Sequence, residues 1–182
     1  MTSRILVLLL LCASPAAAEP LGVPVRSDLN SDGRAEIFTL LDTGDGTADL
    51  QIENTGWGNG VIYAEDIAWV GGIGQRPELD LAPNGSVQLI SMNESIGRDR
   101  WELTLTIAYR ADAYRVAGFT YRWRDTIEND NNGVCDLNLL TGRGLLSHNG
   151  GPERPIRTAL PALPITAWKD DIGPPPACGL PN

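Results

Sequence analysis

The sequence contains very little histidine, and His148 is its single example. A zinc site built from histidines is therefore excluded, and a Ser-His-Asp triad would depend on this one residue. No Gly-x-Ser-x-Gly elbow accompanies it. Because His148 stands in a polar stretch beside glycine, the pattern favours a solvated loop histidine. We therefore predict no catalytic residues from motifs of this kind.

Positive charge is also scarce. The chain has 14 Lys and Arg residues against 23 Asp and Glu residues, and its formal net charge is −9 at pH 7. Proteins that bind nucleic acid draw their affinity from Lys and Arg on the phosphate backbone, so a nucleic-acid partner is excluded. The remaining partner classes are a protein or a glycan. Acidity is compatible with binding a divalent cation, although it more often serves solubility.

Long apolar runs are few. Residues 5–12 form one, preceded by Arg4 and followed by the small residues Ala16-Ala17-Ala18 that a signal peptidase needs. This run is too short to span a bilayer, and no later stretch is long and apolar enough. We therefore predict a signal peptide at residues 1–18. The mature chain is expected to be periplasmic or secreted, without insertion into the membrane.

Cysteine is limited to three residues, and Cys12 falls within the predicted signal peptide. The other two, Cys135 and Cys178, predict one disulfide in an exported protein. The alternative is a pair of buried thiols. A bridge would join a proline-rich extended segment, residues 152–182, to a β domain at residues 19–151.

No convincing amphipathic helix is present, and strand patterns dominate. Residues 34–53 predict a hairpin. The clearest period of two has apolar side chains on one parity at Trp101, Leu103, Leu105, Ile107 and Tyr109. After a reversal at 111–113, the parity of the return strand changes beside Gly118, which predicts a β-bulge there. We predict a mainly antiparallel β fold in one domain, either a sandwich or a partial propeller-like sheet, with little helix.

The sharpest chemical signal is residues 28–36, here called the 28–36 loop. Oxygen-bearing side chains occupy its positions one, three and five, with glycine at six and an acid at nine. Calcium prefers such oxygen ligands. The predicted ligands are the side chains of Asp28, Asn30 and Asp32, the carbonyl of Arg34, and Glu36, directly or through water. An EF-hand is excluded because Thr39 stands at its twelfth position and a strand follows. The alternative is an ordinary turn, since Asp, Asn and Gly are common turn residues.

The 28–36 loop resembles the calcium loops of FG-GAP or VCBS-type repeats of integrin-like β-propellers. The resemblance covers about a dozen residues and implies the ligand roles given above. The chain is too short for a full propeller. Further segments, at 95–102, 116–121 and 135–142, resemble a group of exported bacterial proteins without an assigned activity. That second resemblance implies an exported β domain and no particular reaction.

A weaker second copy of the same template follows later in the chain. Its positions one, three, five, seven and nine are Glu128, Asp130, Asn132, the carbonyl of Val134, and Asp136. Gly133 occupies position six. Glutamate at position one is unusual because its longer side chain fits a tight loop less well. We treat this copy as a second candidate calcium loop.

Two further functions are compatible with the composition. Tryptophans can form a sugar-stacking face, as in carbohydrate-binding modules, or fill the core; the five are Trp57, Trp69, Trp101, Trp123 and Trp168. Trp57, set among Asn and Gly, is the best candidate for exposure. Paired carboxylates can hydrolyse glycosides, and the candidates are Glu65, Asp66, Glu78, Asp80, Glu94 and Glu102. The leading hypothesis is a non-enzymatic, calcium-binding β domain with a structural or binding role.

Overall fold

The fold is mainly β, as a computed structural model of residues 18–56, 60–72 and 74–180 shows. In chain order its strands are β1 (Glu19–Ser27), β2 (Glu36–Asp42), β3 (Thr47–Glu53), β4 (Val61–Trp69), β5 (Glu78–Leu81), β6 (Val87–Asn93), β7 (Asp99–Arg110), β8 (Ala113–Asp125), β9 (Asn132–Asn138), β10 (Arg143–His148) and β11 (Arg154–Arg157). Two short 3-10 helices follow at Ile165–Ala167 and Pro176–Cys178. Nearly all of the predicted signal peptide lies outside the described residues.

The strands form two antiparallel sheets in a single domain, which confirms the predicted fold class. One sheet has four strands in the order β1-β2-β3-β4, and the other has seven in the order β11-β10-β9-β8-β7-β6-β5. No helix in the described ranges is long and apolar enough to cross a membrane.

The predicted hairpin at 34–53 is confirmed as β2 and β3. Alternate side chains of these strands are fully buried, including Phe38 and Leu40 on β2 and Leu50 on β3. Their register places Leu40 opposite Leu50. The period of two in the sequence therefore directs one face of this sheet into the core.

The predicted β-bulge beside Gly118 is also confirmed. Thr106 of β7 pairs with Gly118 of β8, but the next residue, Ile107, pairs with Val116. Ala117 is thus the extra residue, and its insertion accounts for the change of parity along β8. As a result, Val116 and Phe119 both reach the core, where each is fully buried.

The two sheets share one hydrophobic core, and the C-terminal segment contributes to it. Phe38 of the four-stranded sheet lies edge-on to Tyr114 of the seven-stranded sheet, with ring centroids 6.3 Å apart. Trp168, in the segment after β11, is fully buried and lies 6.1 Å from the ring of Phe119. The predicted disulfide is confirmed between Cys135 of β9 and Cys178.

Candidate functional site

The 28–36 loop connects the end of β1 to the start of β2 and curls around its own polar side chains. Gly33 has a φ of +87°, a conformation that glycine adopts without steric cost. The backbone N–H of Asp32 donates to Asp28 Oδ1 at 3.1 Å and to Asn30 Oδ1 at 2.9 Å. The N–H of Gly33 donates to Asp28 Oδ2 at 3.0 Å, and that of Arg34 to Asp32 Oδ1 at 2.9 Å. The structure therefore brings the side chains of positions one, three and five together.

Glu36 closes the loop from a fully buried position. Its Oε2 accepts a hydrogen bond from the backbone N–H of Leu29 at 2.8 Å, and its Oε1 accepts one from the Tyr114 hydroxyl at 2.5 Å. Tyr114 belongs to β8, so this bond links the loop to the opposite sheet. Burial raises the pKa of Tyr114 well above its ordinary value, and the hydrogen bond to Glu36 raises it further.

The oxygen ligands that the loop offers suit a hard cation such as calcium, because carboxylate and amide oxygens are the groups that calcium prefers. An ionised carboxylate has about four acceptor sites, so the loop hydrogen bonds leave lone pairs of Asp28 and Asp32 for an ion. The loop holds these acids together with an amide, Asn30. Across the described part of the chain, no group of three or more His, Cys, Asp or Glu side chains is placed to hold a metal ion.

The second candidate loop has a different structure. Asn132, Val134 and Asp136 lie along strand β9, whose rise of about 3.3 Å per residue puts the first and last of them about 13 Å apart. Glu128, in the preceding turn, forms a salt bridge of 3.1 Å with Arg98, while Asp130 is exposed. Because the course of β9 is extended, it does not curl these oxygens around a common point as the 28–36 loop does.

Gly133 has a steric role rather than a turn-forming one. A Cβ at this position would lie 2.4 Å from Cζ2 of Trp123 and 2.6 Å from the carbonyl oxygen of Ser147. Glycine is therefore required here because the Trp123 ring covers the strand. The spacing that matched position six of a calcium loop has this other physical cause.

The described tryptophans mostly fill the interior. Trp168 is fully buried and Trp123 nearly so, while Trp69 and Trp101 are half-buried with ring centroids 5.6 Å apart. Trp101 stacks on Tyr121 at 6.3 Å. Trp57, the predicted sugar-binding residue, lies outside the described residues. His148 is exposed, and its ring packs against that of Trp123 at 5.2 Å.

The candidate catalytic acids are divided among separate contacts. Asp66 lies 3.5 Å from Lys169 Nζ, and Glu65 lies 4.0 Å from the same atom. Glu102 forms a salt bridge of 2.8 Å with Arg122 across β7 and β8. Glu94 is ion-paired with Arg124, and Glu78 and Asp80 are exposed on β5. Glu102 on β7 and Glu94 beside β6 are thus each paired with an arginine of β8.

A cavity of about 740 Å³ at one end of the seven-stranded sheet was not predicted. Three arginines, Arg100, Arg122 and Arg124, are among its lining residues. The sequence shows that Arg122 and Arg124 are two positions apart and so share one face of β8, and that Arg100 lies on a polar face of β7. Their convergence depends on the pairing of β7 with β8, which sequence spacing alone did not give.

Comparisons of the chain with protein-family models, with curated proteins and with solved structures found no match.

Proposed function

We propose that the protein is an exported, calcium-binding β domain whose bound ion has a structural role. The observation that carries this proposal is the 28–36 loop. Its amides hold the side chains of Asp28, Asn30 and Asp32 toward one another, and Glu36 connects the loop to the second sheet through Tyr114. An ion at this point would act on the contact between the sheets.

In this proposal calcium is held by the side chains of Asp28, Asn30 and Asp32, the carbonyl of Arg34, and Glu36 directly or through water. The ion supplies positive charge between acids that otherwise repel one another. The chain itself supplies the curled backbone and the buried attachment of Glu36. The resemblance of the loop to FG-GAP or VCBS-type calcium loops supports the same ligand roles.

Export is part of the same proposal. Disulfides persist in oxidising compartments such as the periplasm or the extracellular space. The bond between Cys135 and Cys178 therefore supports a periplasmic or secreted location, as does the signal-peptide pattern at residues 1–18.

Thermal unfolding with and without calcium tests the proposal. A ligand that binds only the folded state at about 100 times its Kd stabilises by about 2.7 kcal/mol, which corresponds to a rise in Tm of about 5–10 °C for a domain of this size. We expect this rise in the wild type after chelator is replaced by calcium. Asp32→Ala should abolish it, whereas Asp130→Ala, which removes an exposed acid of the second candidate loop, should retain it. Equal Tm values for the wild type in calcium and in chelator would contradict the proposal.

Glycan binding through Trp57 stays a prediction. A glycan array compares the wild type with Trp57→Ala: binding lost in the variant would support a carbohydrate-binding module, and a blank array for the wild type would contradict it.

A further inference from the structure

The cavity at the end of the seven-stranded sheet is lined by three arginines and by three acids, Glu94, Glu102 and Asp125. Arg100 of β7 lies directly opposite Arg124 of β8, and both line the cavity. Like charges placed opposite each other on neighbouring strands destabilise a sheet unless anions compensate them. Which of these arginines is paired with a carboxylate therefore decides what kind of ligand the cavity can bind.

Two of the three cavity arginines already have a carboxylate. Arg122 is paired with Glu102 at 2.8 Å, and Arg124 is paired with Glu94. Arg100 forms no salt bridge within the described residues, and its Nη1 is buried without a hydrogen-bond partner there. A buried guanidinium N–H without an acceptor is rare in folded proteins. Arg100 thus has one N–H donor that no described residue accepts.

Residues of both faces of the sheet border the cavity. Trp101 and Trp123 pair with each other one position along from the pair of Arg100 and Arg124, so their side chains point to the opposite face of the sheet. On the face of the arginines, Asn132 adds an amide group. The donor that lacks an acceptor on this face, among the described residues, is therefore Nη1 of Arg100.

We propose that this cavity binds a small ligand that carries a carboxylate group, with Arg100 as its principal anchor. A guanidinium offers a planar pair of N–H donors that match the two oxygens of a carboxylate. The volume of about 740 Å³ lies within the range of about 300–1,000 Å³ for small-molecule sites and exceeds the size of a simple ion. Glu94 and Glu102, together with the net charge of −9, disfavour polyanions such as nucleic acid.

The carboxylate can come from an acidic sugar or from a simple organic acid. Tryptophan fluorescence of the full chain, titrated with D-glucuronate, with succinate and with neutral D-glucose, separates these sources, because Trp101 and Trp123 lie in the cavity wall. We expect saturation with glucuronate, with succinate, or with both. Saturation with glucuronate alone identifies an acidic sugar, and saturation with both identifies a carboxylate in general. Absence of saturation with both acids, or equal binding of glucose, would overturn the proposal.

Two variants of Arg100 test whether the ligand binds at this residue. Arg100→Gln should weaken binding about tenfold or more, and Arg100→Lys, which keeps the charge without the planar fork, should weaken it less. Arg143→Gln is the matched control, because Arg143 is exposed on β10 of the same sheet and outside the cavity lining. Unchanged binding in both Arg100 variants would contradict the assignment. Each titration is done once in calcium and once in chelator, so that ligand binding in the cavity is measured independently of calcium binding by the 28–36 loop.

Discussion

The Tyr114 hydroxyl donates a hydrogen bond of 2.5 Å to the buried carboxylate of Glu36, and this bond joins the 28–36 loop to the seven-stranded sheet. The other oxygen of Glu36 accepts from the Leu29 N–H of the same loop. One side chain therefore connects the loop backbone to the seven-stranded sheet. The stability of the sheet contact and the shape of the loop are consequently coupled.

The first prediction concerns that bond. Tyr114→Phe keeps the ring against Phe38 but removes the donor to a buried carboxylate. Hydrogen bonds to charged groups contribute about 1.5–3 kcal/mol, so Tm should fall by about 5 °C or more. Thermal unfolding monitored by circular dichroism measures this change. Tyr63→Phe, on an exposed position of β4, is the control and should leave Tm unchanged. Equal Tm values for Tyr114→Phe and wild type would show that the bond does not stabilise the fold.

The second prediction concerns acid stability. Hydrogen bonding to the Arg98 guanidinium lowers the pKa of the Asp125 carboxyl well below its ordinary value, and the backbone N–H groups of Ile127 and Glu128 lower it further. The folded state therefore binds fewer protons at this site than the unfolded state does. Stability from Asp125 is present above about pH 4, the ordinary pKa of aspartate, and is lost as pH falls below it.

Comparison of the wild type with Asp125→Asn over a pH series tests this. The variant should have the lower Tm at neutral pH, and the difference should shrink below about pH 4, where the Asp125 carboxyl of the unfolded wild type takes up a proton while that of the folded state does not. Arg98→Gln should give the same trend because it removes the main cause of the shift. Parallel pH profiles for wild type and Asp125→Asn would rule out the coupling.

The third prediction concerns the disulfide. Cys135 and Cys178 are 43 residues apart in sequence, and closing such a loop stabilises by about 4 kcal/mol in the chain-entropy model. The double variant Cys135→Ser with Cys178→Ser should therefore lower Tm by about 10 °C. Scanning calorimetry of the variant, beside wild type with and without reductant, measures the loss. Reductant should have no effect on the double variant, and an unchanged Tm in that variant would contradict a stabilising bridge.

The fourth prediction concerns Gly133. Gly133→Ala places a methyl group 2.4 Å from the Trp123 ring and 2.6 Å from the Ser147 carbonyl oxygen. Overpacking of this kind costs about 1–3 kcal/mol, so Tm should fall by several degrees and the fluorescence of Trp123 should change. Gly173→Ala is the control, because a Cβ there meets nothing within 4 Å. Gly133→Ala with wild-type stability would mean that Trp123 moves away without cost.

Local sequence pattern predicted the parts of the fold that depend on neighbouring residues. The period of two along β7 and the parity change beside Gly118 fixed the inward faces and the bulge. Strand β5 was not indicated, because Glu78 and Asp80 give its four residues little apolar character. It forms by pairing with β6, which places Leu79 opposite Leu89. Which strand pairs with which is decided by tertiary structure, so it cannot be predicted from a short window of sequence.

In the candidate site, too, local sequence predicted the local structure and did not predict the contacts between distant residues. The curl of the 28–36 loop follows from local chemistry, since Asp, Asn and Gly bond to amides a few residues away. The attachment of Glu36 to Tyr114 spans 78 residues and was not predicted. In the second candidate calcium loop, residues 132–136 form part of a paired strand instead of a curled loop, and Gly133 lies under Trp123 there. The arginine cavity likewise depends on the register of β7 against β8.

The central claim is calcium binding by the 28–36 loop, and isothermal titration calorimetry on the chelator-treated full chain tests it most directly. The account predicts one saturable calcium site in the wild type, its loss in Asp32→Ala, and its retention in Asp130→Ala. Absence of binding heat in the wild type, or an unchanged site in Asp32→Ala, would contradict the account.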